Sequence, residues 1–378
     1  MTCPHCKESA KFVTHRPKSF LSLLGDIRFE RGYYHCARCK NGHFPWDEDL
    51  KLSAQRLTRG AQEVITLAGI QESFGKAADR ALQKMTGLRV SESTVERTAE
   101  GAGERLAEQL AAGQTFGESQ SWKWNKDATG KTCGYVSLDA TGIMMQGPKG
   151  AKAEGRMVYV GMIYNPKPRL RSDDTKPCED VRYLAGLTTL EELGEQLRRQ
   201  AAQVGMNAID QWIAVSDAGS GLENFFDVHF PLAVKIVDFW HATEHLTPLS
   251  KRIPFAAGCD ALLSAWCHQL KHEGGTALLA SLEKLDRETM SEEVRVTYDE
   301  VLTYYRNHVH KMNYPEYLKR GWQIGSGSVE SACKNVINKR LSMGGMRWGD
   351  NGADAIANLR ALFCSEKKQW NSFWCMAG

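Results

Sequence analysis

Three acidic side chains stand where apolar runs stop or a helix starts. Tyr135-Val136-Ser137-Leu138 is a short β-prone run that ends at Asp139 and is followed by Ala140-Thr141. Trp212-Ile213-Ala214-Val215-Ser216 repeats that grammar, ends at Asp217 and runs into Ala218-Gly219-Ser220-Gly221, a flexible turn. Gly325-Ser326-Gly327-Ser328-Val329 leads into a helix whose first turn holds Glu330, with Ser326 or Ser328 as its cap. Any one of these acids, taken alone, is an ordinary cap or a solvated charge. Taken together they match a known need of phosphodiester chemistry. Hard divalent cations bind carboxylate oxygens, and two ions about 3.5–4 Å apart stabilise the attacking and leaving oxygens of an in-line displacement. Asp139, Asp217 and Glu330 therefore read as one catalytic site for two Mg²⁺ or Mn²⁺ ions.

Such a site needs elements that bring distant residues together. Ser137 to Asp139, Ile143 to Gln146 and Met157 to Tyr164 read as three strands of a meander. A helix from about Leu190 to Val204, a strand ending at Asp217, a short helix from Leu222 to Phe226 and a fifth strand from Ala233 to Phe239 follow. That order is RNase H-like, with the first and fourth strands adjacent, so Asp139 and Asp217 become neighbours. Residues 242–320 carry few strand signals and many helix formers, and read as an all-α insertion before the helix of Glu330. The fold class expected is α/β. A zinc ribbon (1–48), a helical region (49–112) and a linker (113–132) precede the first part of the core (133–241). The insertion (242–320) and the C-terminal helical part of the core (321–378) complete the chain.

Eleven cysteines in a chain with no secretory leader pattern point to metal or to buried thiols rather than disulfides. Cys3 and Cys6, then Cys36 and Cys39, form two C-x2-C knuckles with the layout of a ribbon holding one structural Zn²⁺. So short a segment buries little core, so the ion would supply most of its folding free energy. His5 and His35 are less favoured ligands. Cys259, Cys267, His268 and His272 read as a helix surface rather than a second site. No apolar run is long enough to span a membrane, and a cytoplasmic, nucleoid-associated protein is expected. Overall charge is only +3, but residues 1–60 hold five Lys and six Arg against three Asp and three Glu.

Ser73 to Met85 reads as a helix and Thr86-Gly87-Leu88 as a turn. A second helix follows, capped by Ser91 or Ser93, with Ser93 and Glu96 at capping-box spacing. This is the outline of a helix-turn-helix or of a plain helical bundle. In the first case Ser91, Ser93, Thr94 and Arg97 face DNA.

The run Gly325 to Glu330 is followed by Lys339-Arg340-Leu341, Gly345-Met346-Arg347-Trp348 and Asn358-Leu359-Arg360, with Asp238-Phe239-Trp240-His241 upstream. In these motifs the chain resembles the bacterial insertion-sequence DDE transposases of the ISKra group, related to the Mutator superfamily. The resemblance covers roughly residues 130–375. It implies an RNase H-like core whose acidic triad matches Asp139, Asp217 and Glu330, and an acid-x-x-His signature matching Asp238 and His241. These two are three apart and would hydrogen-bond each other; His241 either orients a metal-bound water or phosphate or braces the site, and bracing is favoured. Lys334, Lys339, Arg340, Arg347 and Arg360 read as phosphate contacts or as a solvated helix face. Trp348 reads as a stacking platform for a splayed base or as a core tryptophan. The implied partners are double-stranded DNA, as element terminal inverted repeats and as target, and further copies of the protein assembled on it. The rivals are a zinc-ribbon protein that binds DNA without cutting it, and an RNase H-like nuclease that cuts without joining.

Overall fold

The computed structural model describes residues 1–49, 56–148, 151, 154–167, 180–217, 219 and 222–376. Apart from Gly219, the turn expected after Asp217 lies outside them. The chain divides into two compact units, one of Met1–Arg105 with Asn371–Gly378 and one of Leu106–Trp370.

In the first unit, β1 (Ala10–Ser22) and β2 (Gly25–Cys36) form an antiparallel hairpin between the knuckles. Leu23-Leu24 makes the reversal. The Ser22 hydroxyl accepts from the Leu24 amide (3.1 Å) and donates to the Gly25 carbonyl (2.8 Å), and Gly25 takes φ +104°, which favours glycine. β3 (Gly42–His43) pairs with β2 beside the second knuckle. Helices follow at Arg59–Gln71, Phe74–Lys76 running into a π-type stretch Ala77–Thr86, and Glu92–Ala111. Gly87, at φ +76°, ends the second. Leu57, Ile65, Leu82, Leu88 and Val95 form their shared core, with Leu21 of the hairpin packed against it. Backbone bonds from Leu21 to the Arg56 carbonyl and from Thr58 to the Leu21 carbonyl tie the hairpin to the helices.

The second unit is mixed α/β around a five-stranded sheet of order β6-β5-β4-β7-β8. β4 (Cys133–Met144) is one continuous strand where two were expected, because the antiparallel ladder to β5 (Gly155–Tyr164) runs unbroken across Thr141-Gly142. The third strand of the meander is instead β6 (Val181–Gly186). Its pattern was obscured by Arg182, which is buried in an ion pair with Glu366 (Nε to Oε1 2.8 Å). β7 (Gln211–Ser216) lies parallel to β4, from Cys133 opposite Gln211 to Ser137 opposite Val215. β8 (Val234–Val237) continues the parallel half.

The helix Leu190–Gln203 begins with a capping box of Thr189 and Glu192 and covers one face of the sheet. Gly161 permits that contact, since a Cβ there would lie 2.5 Å from Leu197 Cδ1. After Val237 the described residues hold helices and no further strand, including Cys259–Glu273, Gly275–Leu282 and Glu292–His308. Hydroxyls of Tyr305 and Tyr314 donate to the carbonyls of Ala242 and Val237 and moor these helices at the sheet. The segment 113–132 is not a free linker. It buries Phe116 and Trp124, and the Trp124 indole donates to the Val204 carbonyl.

Candidate functional site

Asp139 and Asp217 each lie two residues beyond the last paired residues of adjacent parallel strands, Ser137 and Val215. Leu138 pairs with Gly161, on the face that meets Leu197, so strand alternation turns Asp139 to the opposite face. There the Cys333 thiol donates to Asp139 Oδ2 (3.4 Å) and the Ala140 amide to Oδ1 (2.7 Å). Cys333 is three residues after Glu330, so the helix Gly327–Ala332 and the π-type turn Cys333–Asn338 bring Glu330 to the same sheet edge. Burial raises the Asp139 pKa, the Ala140 amide and Cys333 lower it, and the charges of Asp217 and Glu330 raise it further. The three acids thus feel one another. Burial, then Asp139 and Glu330, also push the Cys333 thiol far up, which keeps it a proton donor.

Asp139 is oriented through both of its oxygens, and the other two acids through one each. Asp217 Oδ1 accepts from the Gly219 amide (3.0 Å), and Glu330 Oε1 accepts from the Ser326 hydroxyl (2.9 Å). Asp217 Oδ2 and Glu330 Oε2 have no hydrogen-bond partner among the described residues. Ser326 is the N-cap residue, one of the two expected, but its side chain makes no capping bond. The Ser326 hydroxyl is spent on Glu330 and that of Ser328 on Gln323, while the Ser326 carbonyl receives the amides of Val329 and Glu330. The donor set fits Mg²⁺ or Mn²⁺ by chemistry, being three hard carboxylates held by neighbouring donors. Its oxygens are not drawn within 4.8 Å of one another as the ribbon sulfurs are. Two ions do not demand that, since ligands on opposite sides of such a pair stand up to about 8 Å apart.

Asp238 is a brace. It is 1% exposed, its amide donates to the Ser216 carbonyl, Oδ1 caps the helix Phe239–Glu244 through the His241 amide (2.5 Å), and Oδ2 accepts from the Ser326 amide. Through its amide and its carboxylate, this one residue at the end of β8 therefore joins β7, the helix Phe239–Glu244 and the loop that delivers Glu330. The Asp238–His241 bond uses the His241 backbone, not its ring as expected. The ring meets His245 instead (Nε2 to Nε2 3.3 Å), and His245 stacks on Tyr304 at 3.7 Å. Burial, then His241 and His308, lower the His245 pKa and hold it neutral.

Of the basic residues after Glu330, Lys334, Lys339 and Arg347 are exposed. Arg340 and Trp348 are not available to DNA. They are 1% and 6% exposed, the guanidinium lies 4.8 Å from the indole ring, and the indole N–H donates to the Leu341 carbonyl. Arg360 is also buried, donating to the carbonyls of Val336 (3.1 Å) and Asn335. The wider π-type turn frees these carbonyls and Arg360 satisfies them. The exposed aromatic is Trp240, unflagged by the sequence reading, 67% exposed. It rims the loop to Glu330, where a Cβ on Gly325 would lie 3.6 Å from its Cδ1 and 3.7 Å from Asp238 Oδ2. Its place two residues after Asp238 was the available signal.

In the first unit, Ser91 caps the helix Glu92–Ala111, its hydroxyl accepting from the Thr94 amide (3.2 Å). Ser93 lies inside that helix, so the expected Ser93–Glu96 box does not form. Ser91, Ser93 and Arg97 are exposed and Thr94 is half-buried, with Arg97 donating to the Ser93 carbonyl.

The four knuckle sulfurs of Cys3, Cys6, Cys36 and Cys39 all lie within 4.8 Å of one another. Cys3 to Cys39 and Cys6 to Cys36 are each 3.5 Å. Zn–S bonds of about 2.3 Å in a tetrahedron give S–S edges near 3.8 Å, so the cluster fits one zinc ion. Amides of Cys39 and Arg38 lower the Cys36 thiol to about 7, and those of Cys6 and His5 lower Cys3. Among the described residues this is the sole group of three or more His, Cys, Asp or Glu gathered so closely, and Cys259, Cys267, His268 and His272 form no second one. Among the same residues no helix is long and apolar enough to cross a membrane.

The profile of an uncharacterised protein family (UPF0236) matches residues 5–161, a span that includes three knuckle cysteines and Asp139 but stops before Asp217 and Glu330. No curated protein matches the chain.

Proposed function

We propose that the protein is a DDE transposase, cutting DNA at the ends of an insertion sequence and joining the freed ends to target DNA on an RNase H-like core. The observation that carries this is the convergence of Asp139, Asp217 and Glu330 from two adjacent parallel strands and a C-terminal helix, close enough for both partners to raise the Asp139 pKa. The strand order, three antiparallel strands flanked by two parallel ones, supports the same core.

Magnesium or manganese held by these acids would supply Lewis-acid stabilisation of charge on the reacting phosphodiester. The side chains of this protein supply orientation. Gly219 and Ser326 fix one oxygen each of Asp217 and Glu330, Ala140 and Cys333 fix the two oxygens of Asp139, and Asp238 locks the loop before Glu330 to β7 and β8. Cleavage is an in-line attack by water that frees a 3′-hydroxyl. Joining is the attack of that hydroxyl on a target phosphodiester, with one bond formed and one broken and no covalent enzyme intermediate. Exposed Lys334, Lys339 and Arg347 would neutralise phosphates near the acids, and Ser91, Ser93, Thr94 and Arg97 would contact duplex DNA. One zinc ion in the four knuckle cysteines would hold the ribbon together. Pairing two element ends calls for at least two copies of the chain.

The test is incubation of the purified protein with labelled element-end duplexes and a target plasmid in Mg²⁺. We expect nicked ends and covalently joined products. Gel shifts without any cut DNA would indicate a DNA-binding protein, and cut DNA without joined products a nuclease.

A further inference from the structure

We propose that the basic face of the β1–β2 hairpin is a second, independent contact for the phosphate backbone of duplex DNA, formed by Arg16, Lys18, Arg31 and Arg56. This rests on the reading that DNA is the substrate. None of the four belongs to the helix Glu92–Ala111 and its cap or to the surroundings of the acids.

A concavity of about 640 Å³ opens on the hairpin, lined by Lys18, Arg28, Arg31, Arg56 and Glu30 among others. Arg16 stands directly opposite Arg31 across the ladder, a like-charge pair that costs stability. Lys18 is two residues from Arg16 on the same strand face, and Arg56 reaches it from the segment bonded to Leu21. Asp47 is the carboxylate that answers them, paired with Lys18 (3.0 Å) and Arg31. Burial, followed by the neighbouring cations, lowers the pKa of Lys18 and of Arg31, Arg56 being among the causes in both cases. Aromatic rings hold the cations in place. Arg31 lies 3.6 Å from the Phe44 ring centroid and Arg16 4.0 Å from that of Tyr33. Arg56 has its backbone at φ +57°, an uncommon conformation for a side-chain-bearing residue, and Arg28 and Arg56 have no ion-pair partner among the described residues.

A fixed cluster of mutually repelling cations with too few acids is a site prepared for a polyanion. Its shape favours a duplex. A two-stranded ribbon enters the major groove, and strands of 13 and 12 residues reach roughly 40 Å, enough to follow phosphates on either side.

The experiment is fluorescence anisotropy of the full-length protein with a fluorescein-labelled duplex of mixed sequence, without Mg²⁺, from about 50 to 200 mM salt. We expect the Arg16→Ala/Arg56→Ala variant to lose affinity several-fold and its slope of log K against log salt to flatten by about 0.9 per lost contact. The Arg16→Lys/Arg56→Lys variant should restore the slope, and the unfolding temperatures of both should match the unaltered protein or exceed it. An unchanged slope in a folded alanine variant, or a slope that changes only with single-stranded DNA, overturns the proposal. Nicking assays in Mg²⁺ report separately on the acids. Slope loss without any nicking would leave the hairpin site standing and remove the transposase, and nicking with an unchanged slope would do the reverse.

Discussion

Asp139 is the residue on which the proposed chemistry turns. Its raised pKa means that the ionised carboxylate is costly in the folded protein, so stability is fully present at low pH. That stability is lost as pH rises from the ordinary carboxylate range through the raised value. Without divalent cations, Asp139→Asn should therefore unfold at a higher temperature than the unaltered protein at neutral pH, measured by thermal denaturation. Nicking should vanish in the same variant while DNA binding persists. A variant that unfolds earlier and loses DNA as well would make Asp139 structural. Trp240→Ala is the second test at this scale. An exposed ring beside the loop to Glu330 is suited to stack on a base displaced at the cut, so its removal should lower cleavage about tenfold or more, since such stacking is worth about 1–3 kcal/mol. Binding to intact duplex should stay unchanged, and equal loss of both would put the ring in ground-state contact only.

Two elements are built around backbone irregularities that need a partner. The π-type turn after Glu330 frees the carbonyls of Asn335 and Val336, and buried Arg360 answers them. Arg360→Ala leaves both without a donor, and we expect a loss of about 2–4 kcal/mol in chemical denaturation together with loss of nicking. A stable, active variant would show that water replaces the guanidinium. The knuckles behave differently, because their stability is metal binding. Cys36→Ser should lower bound zinc from one ion per chain to none by elemental analysis, and the β1–β2 hairpin should lose protection from hydrogen exchange. Unchanged zinc content would contradict the four-thiolate site.

Across the whole molecule, features marked by local chemistry were legible in the sequence and features set by tertiary context were not. The knuckles, the acid that follows β7 and the helical character of residues 242–320 follow from spacing, apolar runs and turn residues, whereas Asp139 sits inside β4 and not at a strand end. β6 was missed because a buried arginine breaks its pattern, and β4 was split because Thr141-Gly142 reads as a turn until a partner strand lies beside it. The phosphate contacts were over-counted for a similar reason. Arg340 and Arg360 look like their exposed neighbours in sequence, and only packing against Trp348 and the π-type turn marks them as interior. Cys333, one helical turn beyond Glu330, carries no sign in composition that its thiol meets Asp139. The central claim is that Asp139, Asp217 and Glu330 hold divalent cations as a unit. Electron paramagnetic resonance titration with Mn²⁺ tests it most directly, comparing the unaltered protein with Asp139→Asn, Asp217→Asn and Glu330→Gln. We expect specific Mn²⁺ binding to the unaltered protein and its loss or marked weakening in each of the three variants. Binding that survives all three substitutions, or that is absent from the unaltered protein with DNA present, would contradict a shared metal site.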